Sequence, residues 1–214
     1  MTRVDKMKTA YSIGETVEMG IDEAGRGCFW GPIVAGAVIW PPEEEWTDEH
    51  RELVPFIRDS KKTTKAARPR IAAGIQSLAV DWGVGFVTST EVNDRGMTWA
   101  NQEAFRRAIG ACYTGLDPEL LLIDGVLGLP DTQLRYECIP GGDGLYIPIA
   151  AASILAKHGR DSWVTEWSKE HPVTAERYDL LSNMGYGTVK HREGLKKWGA
   201  HELHRGLFIR NWLS

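Results

Sequence analysis

The run Gly20-Ile21-Asp22-Glu23-Ala24-Gly25-Arg26-Gly27-Cys28-Phe29-Trp30-Gly31-Pro32 narrows the choice of fold more than any other part of the chain. An apolar, β-branched approach over 17–21 leads into two adjacent carboxylates, and glycines then break the chain before a second strand-like run over 33–40. This reads as strand, tight loop, strand, with two hard oxygen donors where the first strand stops. Side chains alternate across a strand, so Asp22 and Glu23 share one ion only if the strand ends or bulges there, which the glycines permit. Gly25, Gly27 and Gly31 also let backbone N–H groups come close to an anion or a sugar. Taken alone, an Asp-Glu pair before glycine equally suits a solvated turn.

Further along, Pro41-Pro42 ends the second strand because proline cannot continue a ladder, and the acidic run 43–52 reads as an exposed loop or short helix. A third strand is expected over 78–88. Three strands so close in sequence, without long helices between them, imply an antiparallel meander. From Ser89-Thr90-Glu91, which offers a cap, apolar residues recur at helical spacing to 113. The uninterrupted apolar run 120–123, ending at Asp124-Gly125, has the form of a buried parallel strand. Another strand over 134–139 closes at Pro140-Gly141-Gly142, a long helix follows over 147–167, and 188–198 is a further helix. A meander followed by alternating β and α units gives an α/β fold, a mixed sheet flanked by helices. One domain is expected across 1–214, with about 172–214 as a helical C-terminal extension.

A length of 214 residues with 43% hydrophobic content suffices for one sizeable core. The formal net charge of −4 speaks mildly against a nucleic-acid partner when averaged over the chain. Its distribution differs. Between 57 and 70 six basic residues face one acid, and between 185 and 214 six face two, so two basic stretches could follow a phosphate backbone or simply be solvated faces. Three cysteines at 28, 112 and 138 have no metal-ligand spacing and fit a reducing cytoplasm. The first ten residues lack an apolar signal core, and no run approaches the ~18 apolar residues of a membrane span.

Two more acids occupy suggestive places. Asp124 ends the buried strand, although Asp-Gly is also ordinary turn chemistry. Asp161 lies seven residues after Ile154 on the long helix, where Ala150, Ala151 and Ala152 would let that helix approach the sheet. By itself, Arg160-Asp161 looks equally like a surface ion pair. The glycine-rich loop lacks the Lys-Ser/Thr of a P-loop, and carboxylates beside a phosphate cradle would repel its ligand unless metals intervened.

In order along the chain stand Asp22-Glu23-Ala24-Gly25-Arg26-Gly27, Asp59-Ser60-Lys61-Lys62, Glu91-Val92-Asn93, Ile123-Asp124-Gly125, Gly142-Asp143, the segment from Ala150 to Lys157 with Arg160-Asp161, Gly185-Tyr186-Gly187-Thr188, and His204-Arg205. Together these strings closely resemble the ribonuclease HII family over about 17–208. The resemblance implies a ribonuclease H-like sheet of three antiparallel and then parallel strands. It implies an endonuclease that hydrolyses the RNA strand of RNA–DNA hybrids and nicks duplex DNA 5′ of an embedded ribonucleotide, leaving 3′-hydroxyl and 5′-phosphate ends. Its four metal-binding acids map onto Asp22, Glu23, Asp124 and Asp161, holding two divalent ions, Mg²⁺ or Mn²⁺. Cutting a phosphodiester with water needs a nucleophile and compensation of charge on two oxygens, and two such ions roughly 4 Å apart supply both.

The family's reader of the ribonucleotide 2′-hydroxyl maps onto Gly25, Arg26 and Gly27, and its tyrosine against the next deoxyribose maps onto Tyr186. Ser60, Lys61, Asn93 and Arg160 fall among the implied substrate contacts. A lysine usual before the family's Gly-Asp is Gly141 here, which removes one implied phosphate contact. The expected partners are RNA–DNA hybrid and ribonucleotide-containing duplex DNA, with no membrane and no convincing sliding-clamp motif near the C-terminus. A cytoplasmic monomer is expected.

Overall fold

The computed structural model describes residues 7–12, 16–57, 63–112 and 115–213. Five strands, β1 (Glu18–Ala24), β2 (Ile33–Ile39), β3 (Asp81–Val87), β4 (Leu120–Asp124) and β5 (Arg135–Ile139), form one sheet in the order β3-β2-β1-β4-β5. β1, β2 and β3 pair antiparallel, whereas β4 lies parallel to both β1 and β5. The expected meander followed by parallel strands is therefore present. Leu120 to Ile123 are buried on both faces, as an uninterrupted apolar run on an interior strand between two parallel neighbours must be.

The helices are α1 (Asp48–Leu53), α2 (Arg68–Leu78), α3 (Ser89–Arg95), α4 (Met97–Gly110), α5 (Ile147–Glu170), α6 (Pro172–Arg177), α7 (Leu180–Asn183), α8 (Val189–Trp198) and α9 (Gly206–Ile209). Two expectations shift. The third strand begins at Asp81 because α2 runs to Leu78, with Pro69 tolerated in its first turn and Ile71, Ala72 and Ile75 on its buried face. The helix expected over 89–113 is two helices, broken at Gly96, whose φ of 82° is outside helical space. Thr88, one residue before the expected cap, closes a capping box with Glu91.

α5 and α4 cover opposite faces of the sheet, and both come close because the sheet supplies glycine beneath them. A methyl group at Gly20 would run into the backbone of Pro148 and Ile149, and one at Gly83 into the Ala108 carbonyl. Forcing such a methyl in costs typically 1–3 kcal/mol, which makes the small residues of α5 and the sheet glycines one packing device. Met19, Ile21, Ile33, Ala35, Ala104 and Phe105 fill the α4 side. Val38, Ile147, Ala151 and Ile154 fill the α5 side together with Ile71 and Ile75 of α2.

Beyond α5, Trp30 packs with Val164, Tyr178, Leu180, Met184, Leu195 and Ile209 in a separate apolar cluster. The bulky Phe29-Trp30 pair thus joins the glycine-rich loop to the C-terminal helices. No helix among the described residues is long and apolar enough to cross a membrane.

Candidate active site

β1 does not end or bulge at the carboxylates. It pairs with β2 through Glu23↔Ala35 and Ala24↔Val34, so Asp22 and Glu23 leave by opposite faces. What ends there is the other edge: pairing with β4 stops at Ile21↔Ile123, and one further step in that register sets Asp124 beside Asp22. Asp22 reaches Ser153 of α5, and its Oδ1 accepts the Glu23 N–H at 2.7 Å. Glu23 lies on the side of α4, where the buried Asn101 amide faces it without completing a hydrogen bond of good geometry.

The electrostatics tie three acids together. Burial raises Asp22 well above the usual carboxylate range, and the charges of Glu23 and Asp124 push it further the same way. Glu23 is also raised, by burial first and by Asp124 in addition, against the pull of Arg26. Arg26 stands 3.9 Å from Glu23 but is half exposed, so solvent screens its help.

Asp161 stands differently. Its Oδ2 accepts from Arg68 Nη1 at 2.9 Å and its Oδ1 from Lys157 Nζ at 2.8 Å, so both oxygens are held by cations. The expectation that Asp161 projects toward the sheet-end acids is corrected to a buried ion-pair cluster between α2 and α5, whose cause is the unforeseen helix carrying Arg68. The residue placed against Asp124 is instead Asp143, buried, with its backbone N–H donating to Asp124 Oδ1 at 3.3 Å. Gly-Gly-Asp after β5 was the sequence signal: an acid just past the end of a neighbouring strand returns to the same sheet end.

The Gly25 to Pro32 loop is held from below by two arginines that are both fully buried. Arg160 donates to the carbonyls of Pro32 at 3.0 Å, Met184 at 2.7 Å and Trp30 at 3.0 Å. Arg205 donates to Gly25 at 2.7 Å, Arg26 at 3.1 Å and Gly31 at 2.8 and 3.0 Å. Arg160 is therefore corrected from substrate contact to loop support. Arg205 and Arg68 are buried as well, so they belong neither to a phosphate footprint nor to a solvated face, the two readings open for the basic stretches. Of the three loop residues, Arg26 and Gly27 are exposed and Gly25 is buried.

A prediction follows from Gly25 and Gly27. Gly25 has φ 87°, and a methyl there would strike the Arg160 guanidinium, whereas a methyl at Gly27 meets nothing within 4 Å. Gly25→Ala should lower thermal stability through strain and displacement of Arg160, by on the order of 1–3 kcal/mol. Gly27→Ala should melt as the wild type. Equal melting curves for all three proteins would show that the loop yields without cost.

Tyr186 is 40% exposed, with its ring 5.3 Å from the Lys157 ammonium and 5.7 Å from the Arg160 guanidinium. Burial of the phenol end pushes its hydroxyl up to about 12, so it stays protonated. The Asn93 amide spans the His204 carbonyl at 3.0 Å and the Gly206 N–H at 2.9 Å, which fixes it to the C-terminal segment. Ser60 and Lys61 lie outside the described residues.

Crowded, buried like charges built from hard oxygens suit a divalent cation, which offsets their repulsion. Among the described residues no three acids already converge into a finished ligand set.

The family model described as Ribonuclease HII matches residues 19–211. The chain is 38% identical over 189 residues to ribonuclease HII of Trichormus variabilis, covering 88% of this chain and 80% of that protein. To ribonuclease HII of Cytophaga hutchinsonii it is 39% identical over 192 residues, covering 90% and 89%. Among solved structures, ribonuclease H2 from Pyrococcus horikoshii OT3 superposes with a TM-score of 0.71 at 22% identity, covering 91% of this chain and 96% of that one. RNase HII of Archaeoglobus fulgidus, solved as a complex with PCNA, gives 0.68 at 26% identity, covering 88% and 93%. Bst-RNase HIII in complex with Mn²⁺ gives 0.62 at 20% identity, covering 87% and 64%.

Proposed function

The chain belongs to the ribonuclease HII family and is thus a hydrolase of the ribonuclease H type acting on RNA–DNA hybrids, and we propose that it also nicks duplex DNA 5′ of single embedded ribonucleotides. The observation that carries this reading is the position of Asp22 and Asp124, side by side on parallel strands where their pairing stops, beneath an exposed Arg26-Gly27 loop. We assign Asp22 and Asp124 as ligands of one metal ion and Glu23, which leaves β1 by the opposite face, as a ligand of the second. Asp143 is better placed than Asp161 to complete the set, because its backbone N–H donates to Asp124 while both oxygens of Asp161 are held by Arg68 and Lys157.

Held by these acids, two Mg²⁺ or Mn²⁺ ions would supply activation of a water and compensation of charge at the leaving oxygen; the ends we propose are 5′-phosphate and 3′-hydroxyl. The chain's own residues do the positioning. Asp22 and Asp124 hold their oxygens on rigid strands, and Glu23 supplies a carboxylate from the other face of β1. Backbone groups of Gly25, Arg26 and Gly27 meet the 2′-hydroxyl, the one atom that separates a ribonucleotide from its neighbours. The Tyr186 ring packs on the next sugar, where an added hydroxyl would hold that sugar away. Ser60 and Lys61 contact phosphates of the duplex. The protein works as a monomer in the cytoplasm, with ribonucleotide removal from DNA as its role, and its three cysteines are free thiols, as a reducing compartment keeps them.

Cleavage of a duplex carrying one ribonucleotide, with and without Mg²⁺ or Mn²⁺, tests the activity. Tyr186→Ala tests the junction. A stacking contact is worth about 1–3 kcal/mol, so this variant should lose roughly 5- to 150-fold on the single-ribonucleotide duplex and much less on a continuous hybrid. Tyr186→Phe should change little. Equal losses on both substrates would remove Tyr186 from junction reading.

A further inference from the structure

His204-Arg205 touches three of the elements assigned to the substrate. Arg205 grips the Gly25, Arg26 and Gly31 carbonyls, and its own N–H donates to Phe29 O at 2.8 Å. The His204 carbonyl and the Gly206 N–H hold the two ends of the Asn93 amide. The third link runs through the imidazole rings and ends on Tyr186.

The proton positions along this third link follow from its geometry. The His201 N–H, which can only donate, lies 2.8 Å from His204 Nδ1, so that nitrogen accepts. The same nitrogen lies 3.2 Å from the His201 carbonyl, the longer of its two contacts, and a nitrogen whose lone pair accepts the His201 N–H carries no proton to donate there. A neutral His204 therefore carries its proton on Nε2, which faces His191 Nε2 at 2.9 Å and donates to it. His191 must then carry its proton on Nδ1, which donates to the Tyr186 carbonyl at 3.0 Å.

Neutrality of both rings is supported by their surroundings. Burial holds His191 down to about 4 and His204 down to about 3. His191 also lies in the first turn of α8, where the helix end disfavours a cation. The Tyr186 carbonyl and Asp179 act on His191 in the opposite sense, His191 adds to the lowering of His204 while the His201 backbone opposes it, and the Tyr178 and Phe29 rings pack around the pair.

We propose that His204-Arg205, acting through His191, is the positioning element that sets the spacing between the 2′-hydroxyl loop and Tyr186. This rests on the reading of the loop and Tyr186 given above. Tyr186 stands between two glycines; its N–H donates to the Asn183 carbonyl at 3.0 Å, and the Gly185 carbonyl before it accepts the Phe29 N–H at 2.9 Å. The histidine link thus fixes the Tyr186 carbonyl on the far side of a segment already seated on the loop. Gly185 takes φ 82°, and a methyl at Gly187 would strike the Phe29 ring, so the chain is thin here and pressed onto the loop. The Tyr186 carbonyl has two donors, Thr188 N–H at 2.8 Å and His191 Nδ1, and only the second connects it to the segment that grips the loop. His204 and His191 touch no substrate in this scheme. They fix where one reader stands relative to the other, which is what selection of one sugar and rejection of its neighbour depends on.

The test has a spectroscopic arm and a kinetic arm. In ¹⁵N-histidine-labelled wild-type protein at neutral pH, ring-nitrogen shifts should report the Nε2–H tautomer for His204 and the Nδ1–H tautomer for His191. The reverse tautomers, or a charged ring, would overturn the relay. In the kinetic arm, kcat and KM are measured for His191→Leu, His191→Asn and Tyr186→Ala on the single-ribonucleotide duplex and on continuous hybrid, with melting curves for each. Losing one hydrogen bond to the Tyr186 carbonyl should lower the ratio of kcat/KM on the two substrates by roughly tenfold in His191→Leu. His191→Asn, whose amide N–H takes the place of Nδ1–H, should recover most of that ratio.

A loss shared equally by both substrates would reduce the histidines to packing and overturn the proposal. If His191→Leu does not fold, His191→Gln, whose amide replaces Nε2 and leaves the Tyr186 carbonyl without the Nδ1–H donor, takes its place and should show the same roughly tenfold fall. A ratio changed by Tyr186→Ala but not by the folded variant lacking that donor sinks the positioning role alone. A ratio unchanged in Tyr186→Ala sinks the junction reading itself, while the tautomers still report whether the relay exists.

Discussion

Asp124→Asn should fold as the wild type, bind hybrid duplex and lose cleavage by roughly 10³-fold or more. The amide keeps the shape of the side chain but removes an anionic ligand, and charge stabilisation by a bound ion is worth several kcal/mol of barrier. Asp124 sits beside Asp22 at the open end of the β1–β4 ladder, and its charge is one of those that raise both Asp22 and Glu23. Wild-type rates in this variant at saturating Mg²⁺ would dispose of the metal-ligand assignment.

Two companion variants separate the remaining acids. Asp143→Asn should raise the Mg²⁺ concentration needed for half-maximal activity, since Asp143 adjoins Asp124. Asp161→Asn should leave that concentration nearly unchanged and cost stability instead, on the order of 1–3 kcal/mol, because Arg68 and Lys157 lose the charge they share. The opposite pattern would restore Asp161 to the metal set.

The largest effect on stability is expected at Arg160. Arg160→Met keeps the length and apolar stem but leaves the carbonyls of Pro32, Met184 and Trp30 without their donor in a fully buried site. Buried polar groups left unpaired cost about 1–3 kcal/mol each, and a total near 3–5 kcal/mol is expected after relaxation. For a chain of this length that is a fall in Tm on the order of 10 °C. A loss smaller than 1 kcal/mol in a denaturant titration would mean the loop finds other donors and the arginine is not its support.

The antiparallel meander, the buried strand β4 and the tight seat of α5 could all be read in the chain, because each follows from a local rule. Apolar, β-branched runs broken by glycine and proline mark β1 and β2, an unbroken apolar run marks β4, and Ala150 to Ala152 mark a helix able to approach a sheet. Asp22 and Asp124 were legible as site residues for the same reason, since each acid ends an apolar run. α2 was not, although Ile71 and Ile75 have helical spacing, because its basic residues suggested a solvated face and Arg-Pro obscured its start. No local rule placed Arg160 and Arg205 in the interior. Their partners are carbonyls more than a hundred residues away for most of their bonds, and a cation is buried only where such acceptors converge. The same holds for Asp161, whose role as an ion-pair partner depends on Arg68 arriving from another helix, and for Asp143, which reaches Asp124 only once β5 is laid beside β4. The sequence by itself determined the elements and which acids end strands. The tertiary structure decided which charges meet, because a charge takes its function from neighbours that are distant in the chain.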